Sequence, residues 1–133
     1  MLSLYLIRGL PGSGKSSFAS TLKNYGVVDE VFEADDFFTS VSGVYNYDSS
    51  RIKDAHAICK MNTRYFLSQG QSVAVSNTTT TEFEVGDYEM IAIEFNAKLI
   101  SAVIENRHGN SSIHDVPNDV VQKMKNRFSI KLC

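Results

Sequence analysis

Apolar and polar positions alternate between two periods along this chain, and the change of period marks its elements. Leu2, Leu4, Tyr5, Leu6 and Ile7 form a short, nearly continuous apolar run, the pattern of a strand buried on both faces. Ser17, Phe18, Ala19 and Leu22 continue as a helix that ends near Asn24-Tyr25-Gly26. Val27-Val28 and Val31-Phe32-Glu33-Ala34 predict a short second strand reaching Asp35-Asp36. Residues 37–48 have no period and read as an aromatic loop, with Gly43, Tyr45, Asn46 and Tyr47. Ser49 or Ser50 can cap a helix that runs to about Ser68 and is stopped by Gly70. Ile52, Ala55, Cys59, Asn62 and Phe66 share one stripe of it, widened by Ile58 and Tyr65.

Residues 71–76 predict a third strand. The polar loop from Asn77 to Thr81 then caps a helix from Glu82 to about Phe95, weakened early by Gly86. Residues 98–104 predict a fourth strand. A polar stretch over 105–116 follows, and Pro117 suits the first position of a last helix carrying Val120, Val121, Met124 and Phe128. Four strands alternating with helices predict an α/β fold whose mostly parallel four-stranded sheet has helices on both faces. The loops at the strands' carboxyl ends would share one rim, where ligands bind in such folds.

Between the first strand and its helix stands Gly9-Leu10-Pro11-Gly12-Ser13-Gly14-Lys15-Ser16, a full match to the phosphate-binding pattern G-x-x-x-x-G-K-[ST]. Glycines let backbone N–H groups curl around a phosphate, and Lys15 carries a point charge to the β and γ phosphates. Ser16 offers its hydroxyl to Mg²⁺. The loop opens a helix, so orphan amides and the positive end of the dipole face the same anion. Strand, loop and helix in this order are the context the motif needs, and they specify a P-loop NTPase-type three-layer sandwich. Gly12, Ser13, Gly14, Lys15, Ser16 and Ser17 are the nucleotide-binding candidates, and Ser16 the metal ligand.

Composition adds limits. With 133 residues, 43% hydrophobic and 21% charged, the chain is expected to form one domain over residues 1–133. No apolar stretch approaches the roughly 18 residues that span a bilayer, and the first apolar run has no basic flank, so a cytoplasmic protein is expected. Cys59 and Cys133 match no metal spacing; Cys59 reads as a small core residue. The net charge of −2 argues against indiscriminate nucleic-acid binding, although the residues from Glu105 onward carry 5 Lys+Arg against 3 Asp+Glu.

Asp35 and Asp36 end the second strand, where an acceptor hydroxyl must approach the γ-phosphate if that strand lies near the first. Asp35 is the candidate base and Asp36 the residue that orients the loop, with a turn-capping or water-bridged role as the alternative. Arg107 opens a candidate lid over about 105–117 and could stabilise charge on a transferring phosphate; the alternative is an exposed loop arginine. His108 could add a donor, and His114 has less to recommend it. The phosphate loop, Asp35-Asp36, Asn77-Thr78 and Arg107 are expected to converge. Lys53, Lys60 and Arg64, with Arg51 nearby, fit either a phosphodiester track or the solvated face of an amphipathic helix, the default for mixed charge. Phe37, Phe38, Tyr45 and Tyr47 either stack bases or pack their loop onto the domain.

The phosphate loop, Glu33-Ala34-Asp35-Asp36-Phe37-Phe38, Ala55-His56, Val75-Ser76-Asn77-Thr78 and Asp115-Val116-Pro117 together resemble the small P-loop kinases of the bacteriophage polynucleotide 5′-kinase group. The AAA-type domain of the NEDD4-binding protein 2 relatives is similar too. The resemblance implies ATP and Mg²⁺, transfer of the γ-phosphate to the 5′-hydroxyl of a nucleic acid, a base at Asp35 and a lid arginine at Arg107. Two positions depart from it. Asn77 stands where the group has an acid after strand three, and Phe38 where it has an arginine, which weakens the expected organisation of Mg²⁺ and the grip on the acceptor. A kinase of a small hydroxyl compound or nucleoside, and a module that binds or hydrolyses ATP without an acceptor, are the alternatives.

Overall fold

Leu4, Leu6 and Ile7 lose all contact with solvent, which a strand does only when both of its faces and both of its edges are covered. The computed structural model describes residues 1–109 and 116–132, and shows how. β1 (Ser3–Arg8) lies in the middle of a four-stranded sheet with β2 (Glu30–Phe32), β3 (Val73–Asn77) and β4 (Lys98–Val103). The order is β2-β3-β1-β4 and every pair is parallel. Leu6 stands opposite Val75 on one side and Ser101 on the other. The helices are α1 (Lys15–Asn24), α2 (Ile52–Ser68), α3 (Glu82–Glu94) and α4 (Asn118–Arg127).

Strand alternation divides the core in two. Leu4, Leu6, Val73 and Val75 pack against Cys59 and Leu67 of α2 and against Val85, Tyr88 and Ile91 of α3. Ile7 and Ala74 point the other way, onto Ala19 of α1 and Val28. The fold is therefore the α/β layered sandwich that the sequence predicts, with helices on both faces of a parallel sheet.

Three local expectations are corrected. β2 has three residues, and Asp35 and Asp36 sit beyond it in a 3-10 turn, Ala34–Phe38, because the Asp36 carboxylate accepts from the Glu33 amide at 3.0 Å and closes a capping box. β2 is also not next to β1, since β3 lies between them. The residue that caps the entry to α2 is Asp48, not Ser49 or Ser50: its carboxylate accepts from the Ser50 amide at 3.0 Å and the Ser50 hydroxyl at 2.7 Å, leading through the 3-10 turn Ser49–Arg51. The buried stripe of α2 is Ala55, Cys59, Thr63 and Leu67, with Ile58 and Tyr65 exposed. Thr63 tolerates full burial because its hydroxyl donates to the Cys59 carbonyl at 2.8 Å.

Arg8 at the end of β1 is 2% exposed. Its guanidinium donates to the Thr79 carbonyl at 2.8 Å and the Ser129 carbonyl at 2.6 Å, pairs with Glu82 at 3.4 Å and lies 4.9 Å above the Phe128 ring. The chain after α4 is thus tied to the rim: the Ser129 amide donates to the Thr80 carbonyl, and the Glu82 amide to the Ser129 hydroxyl. A buried cation with this many partners leaves several polar groups unsatisfied when it is removed. Arg8→Ala is expected to cost about 3 kcal/mol or more in urea denaturation; a loss below about 1 kcal/mol would show that the tail is held by its other contacts.

Candidate active site

Gly12 and Gly14 adopt φ of 85° and 93°, the left-handed region that glycine enters freely, and they turn the chain out of β1 into α1. The base of the turn is held by hydrogen bonds from the Gly9 amide to the Thr78 carbonyl and from the Ser13 amide to the Leu10 carbonyl. Ser13 is buried with its hydroxyl unpartnered, and a Cβ on Gly9 would stand 2.4 Å from that oxygen and 3.0 Å from the Ile104 carbonyl. Ser13 therefore packs the floor of the loop.

The two helices that begin on this rim differ at their N-termini. α3 is closed by Thr81, whose hydroxyl accepts from the Glu84 amide, and has Glu82 and Glu84 in its first turn. α1 has no side-chain cap and no acid in its first turn. Its orphan amides and positive dipole end are left for an external anion. The donor set suits a nucleotide phosphate, with Lys15 and Ser16 at the same terminus.

Carboxylates surround Lys15. Burial lowers its pKa, while the charges of Glu33 and Asp35 act in the opposite direction. The Ser16 hydroxyl donates to Glu33. Glu33 has a raised pKa, chiefly from burial and against the hydrogen bond from Ser16, and the buried Ser76 hydroxyl faces it. Asp36 is likewise raised by burial. A cleft of about 360 Å³ opens between Ser16, Lys23, Glu33 and Asp36. Asp35 receives the Tyr45 hydroxyl at 3.3 Å, and the Tyr45 pKa is pushed up to about 12 by burial and by that carboxylate.

The expected convergence holds for the loop, the Asp35 turn and Thr78, and differs at Asn77 and Arg107. Asn77 points to the α2 and α3 face, where its side-chain oxygen accepts from the Ala34 amide at 2.7 Å and its amide nitrogen meets Tyr88 Oη at 3.5 Å and Cys59 Sγ at 3.7 Å. It holds the Asp35 turn from behind. Arg107 is 86% exposed and its guanidinium pairs with Glu105. His108 comes closer to the loop, its Cε1 4.0 Å from where a Gly14 Cβ would be. Residues 110–115, including His114, Asp115 and part of the expected lid, lie outside the described residues, as does Cys133.

Lys60 and Arg64 of α2 pair with acids of α3, Asp87 at 2.8 Å and Glu94 at 2.5 Å, and Arg51 of the preceding 3-10 turn pairs with Asp54 at 3.1 Å, while Lys53 is exposed. The aromatic loop is anchored through Phe38, while Tyr47 remains exposed. Phe38 is buried against Ala34 and Ala55, with the Phe37, Tyr45 and Tyr47 rings 5.2, 6.5 and 5.1 Å away. Glu33 and Ser76 are residues beside the loop that the sequence reading did not assign, and Tyr45, weighed there as a stacking or packing residue, instead reaches Asp35. The two-residue period of β3 could have found Ser76, because it shares the α1 face with Ala74 while Asn77 follows Val73 and Val75.

No family model matches the chain. Over 100 residues, 74% of this chain, it is 29% identical to human NEDD4-binding protein 2, of which the match spans 6%. Similar solved structures are Kti12 of Chaetomium thermophilum in complex with ADP-AlF3 (TM-score 0.70, 14% identity, 96% of this chain and 80% of that one) and the APS kinase CysC of Mycobacterium tuberculosis (0.62, 11%, 95% and 96%). A third is the Pnkp1/Rnl/Hen1 RNA repair complex (0.63, 19%, 95% of this chain and 37% of that one). The chain thus shares the parallel α/β fold of these structures and carries the phosphate-loop sequence at the end of its first strand. Among the described residues no helix is long and apolar enough to cross a membrane.

Gly9→Ala is expected to cost about 1–3 kcal/mol by overpacking the loop floor, read from urea denaturation; an unchanged midpoint would mean that Ser13 yields freely. A second expectation concerns pH. Burial lowers the pKa of His56 below its ordinary 6.5, with Lys60 acting in the same direction. Below that pH the unfolded chain takes up a proton that the folded chain refuses, so stability falls as pH drops from 6.5 toward the lowered value. His56→Gln should flatten this slope between pH 7.5 and 5 in chemical denaturation, and an equal slope would assign the acid sensitivity elsewhere.

Proposed function

We propose that this chain is an ATP-dependent phosphotransferase that moves the γ-phosphate to a hydroxyl, with the 5′-hydroxyl of a nucleic acid as the acceptor. The observation that carries the reading is the uncapped, acid-free N-terminus of α1 beside Lys15, within electrostatic reach of Asp35. The amides of Gly12 to Ser17 hold the β and γ phosphates, and Lys15 offsets their charge. Ser16 holds Mg²⁺, which when bound neutralises phosphate charge and orients the leaving group.

Asp35 takes the proton of the acceptor hydroxyl as its oxygen bonds to the γ-phosphorus; the bond to the bridging oxygen breaks and ADP leaves. Tyr45 keeps the Asp35 carboxylate aimed. Arg107 exchanges Glu105 for the transferring phosphate and stabilises the charge that develops there. The nucleic-acid acceptor is supported by the motif resemblance and by likeness to a chain of an RNA repair complex. Cytoplasmic localisation fits these substrates.

A second acceptor class is favoured by one observation. Lys60 and Arg64 are committed to acids of α3 and Phe38 is packed onto Ala34 and Ala55, which interrupts the row of basic residues along α2. A small hydroxyl compound or nucleoside suits that surface, and an APS kinase has the same fold along nearly its whole length. Labelled ATP offered with 5′-hydroxyl oligonucleotides of RNA and DNA and with nucleosides separates the two by which takes up label. Lys15→Ala should lower transfer by about 100-fold or more. Asp35→Asn should do so by about 100-fold with ATP binding intact. Wild-type turnover in either variant would refute the assignment.

A further inference from the structure

Mg²⁺ is typically held by one or two carboxylates together with substrate phosphates and water, so a site served by Ser16 needs an acid close by. The sequence directs attention to position 77, and its placement removes it. Asn77 lies on the opposite face of the sheet, with its oxygen given to the Ala34 amide. The residue of β3 that does face α1 is Ser76, which is neutral. Asp36 has one carboxylate oxygen on the Glu33 amide, and Asp35 has one on the Tyr45 hydroxyl. Glu33 brings its carboxylate into hydrogen-bond contact with Ser16 itself.

We propose that Glu33 supplies the carboxylate of the Mg²⁺ site at Ser16, a role moved from the end of β3 to the end of β2; the proposal rests on reading the loop as an ATP site. The carboxylate is fixed in place before any cation arrives. The Ser16 hydroxyl already donates to it, and the turn that Glu33 opens is locked by its backbone, whose amide donates to the Asp36 carboxylate at 3.0 Å and whose carbonyl accepts from the Asp36 amide at 3.1 Å. A hydroxyl has one proton and two lone pairs, so Ser16 can keep donating to Glu33 while a lone pair faces a cation. Glu33 then holds the cation directly or through its bound water, and Asp36 lines the same cleft.

The test is equilibrium binding of a fluorescent ATP analogue to the whole chain, once with Mg²⁺ and once with EDTA, in wild type, Glu33→Gln and Asn77→Asp. Wild type is expected to bind more tightly with Mg²⁺. Glu33→Gln, which keeps the shape and the hydrogen-bond acceptor, should match wild type in EDTA and lose about tenfold of affinity in Mg²⁺. Asn77→Asp should gain nothing from Mg²⁺ beyond wild type. A Glu33→Gln chain with the full Mg²⁺ gain overturns the proposal and leaves the ATP site standing. Equal loss in both conditions also overturns it, by making Glu33 structural. If wild type binds the analogue in neither condition, the reading of the loop falls and Glu33 falls with it.

Discussion

Everything on the rim depends on where β1 is forced to end. The strand is paired on both sides, with Arg8 opposite Asn77 of β3 and Val103 of β4, so its last residue cannot slip without breaking two ladders. From that fixed point the glycine turn has one direction to take, and it delivers the chain into α1 with the first amides exposed. Arg8 fastens the same point from the α3 side, drawing in Thr79, Glu82 and Ser129. An anion site made of backbone amides needs this rigidity, because amides that wander lose the convergence that gives them their field.

A second, buried connection fixes the acids relative to that loop. Asn77, Cys59 and Tyr88 meet between β3, α2 and α3, and Asn77 passes their order to the turn carrying Asp35 through the Ala34 amide. Burial raises the pKa of the Cys59 thiol and of the Tyr88 phenol, which favours the neutral form of both. The arrangement makes Asn77 a support for the turn that carries Asp35. Its neutral amide suits the position: a carboxylate there could still accept from Ala34 but would place a charge among Cys59 and Tyr88.

The acceptor side carries a different logic. Phe38 anchors the aromatic loop on Ala34 and Ala55, which brings Tyr45 to Asp35, while Arg51 lies 4.8 Å over the Phe37 ring. Lys60 and Arg64 of α2 are spent on α3. The larger cavity, about 670 Å³ between α3, β4 and Ile130 to Leu132, contains no residue of the phosphate loop.

What the sequence determined by itself is whatever depends on near neighbours. The apolar run before Gly9, the left-handed glycines at 12 and 14 and the pairing of Lys15 with Ser16 are legible because a few consecutive residues dictate them, and the period change from strand to helix followed for the same reason. The tertiary structure decided what depends on strand order and on which face a side chain occupies. The alternation along β3 separates Ser76 from Asn77, but only the placement of β3 between β1 and β2 turns one toward Glu33 and the other toward the core. Only the packing of α2 on α3 commits Lys60 and Arg64 to acids. The Ser16 to Glu33 bond joins residues 17 positions apart across two elements. No local period encodes such a contact, since it arises when the sheet brings two strand ends together.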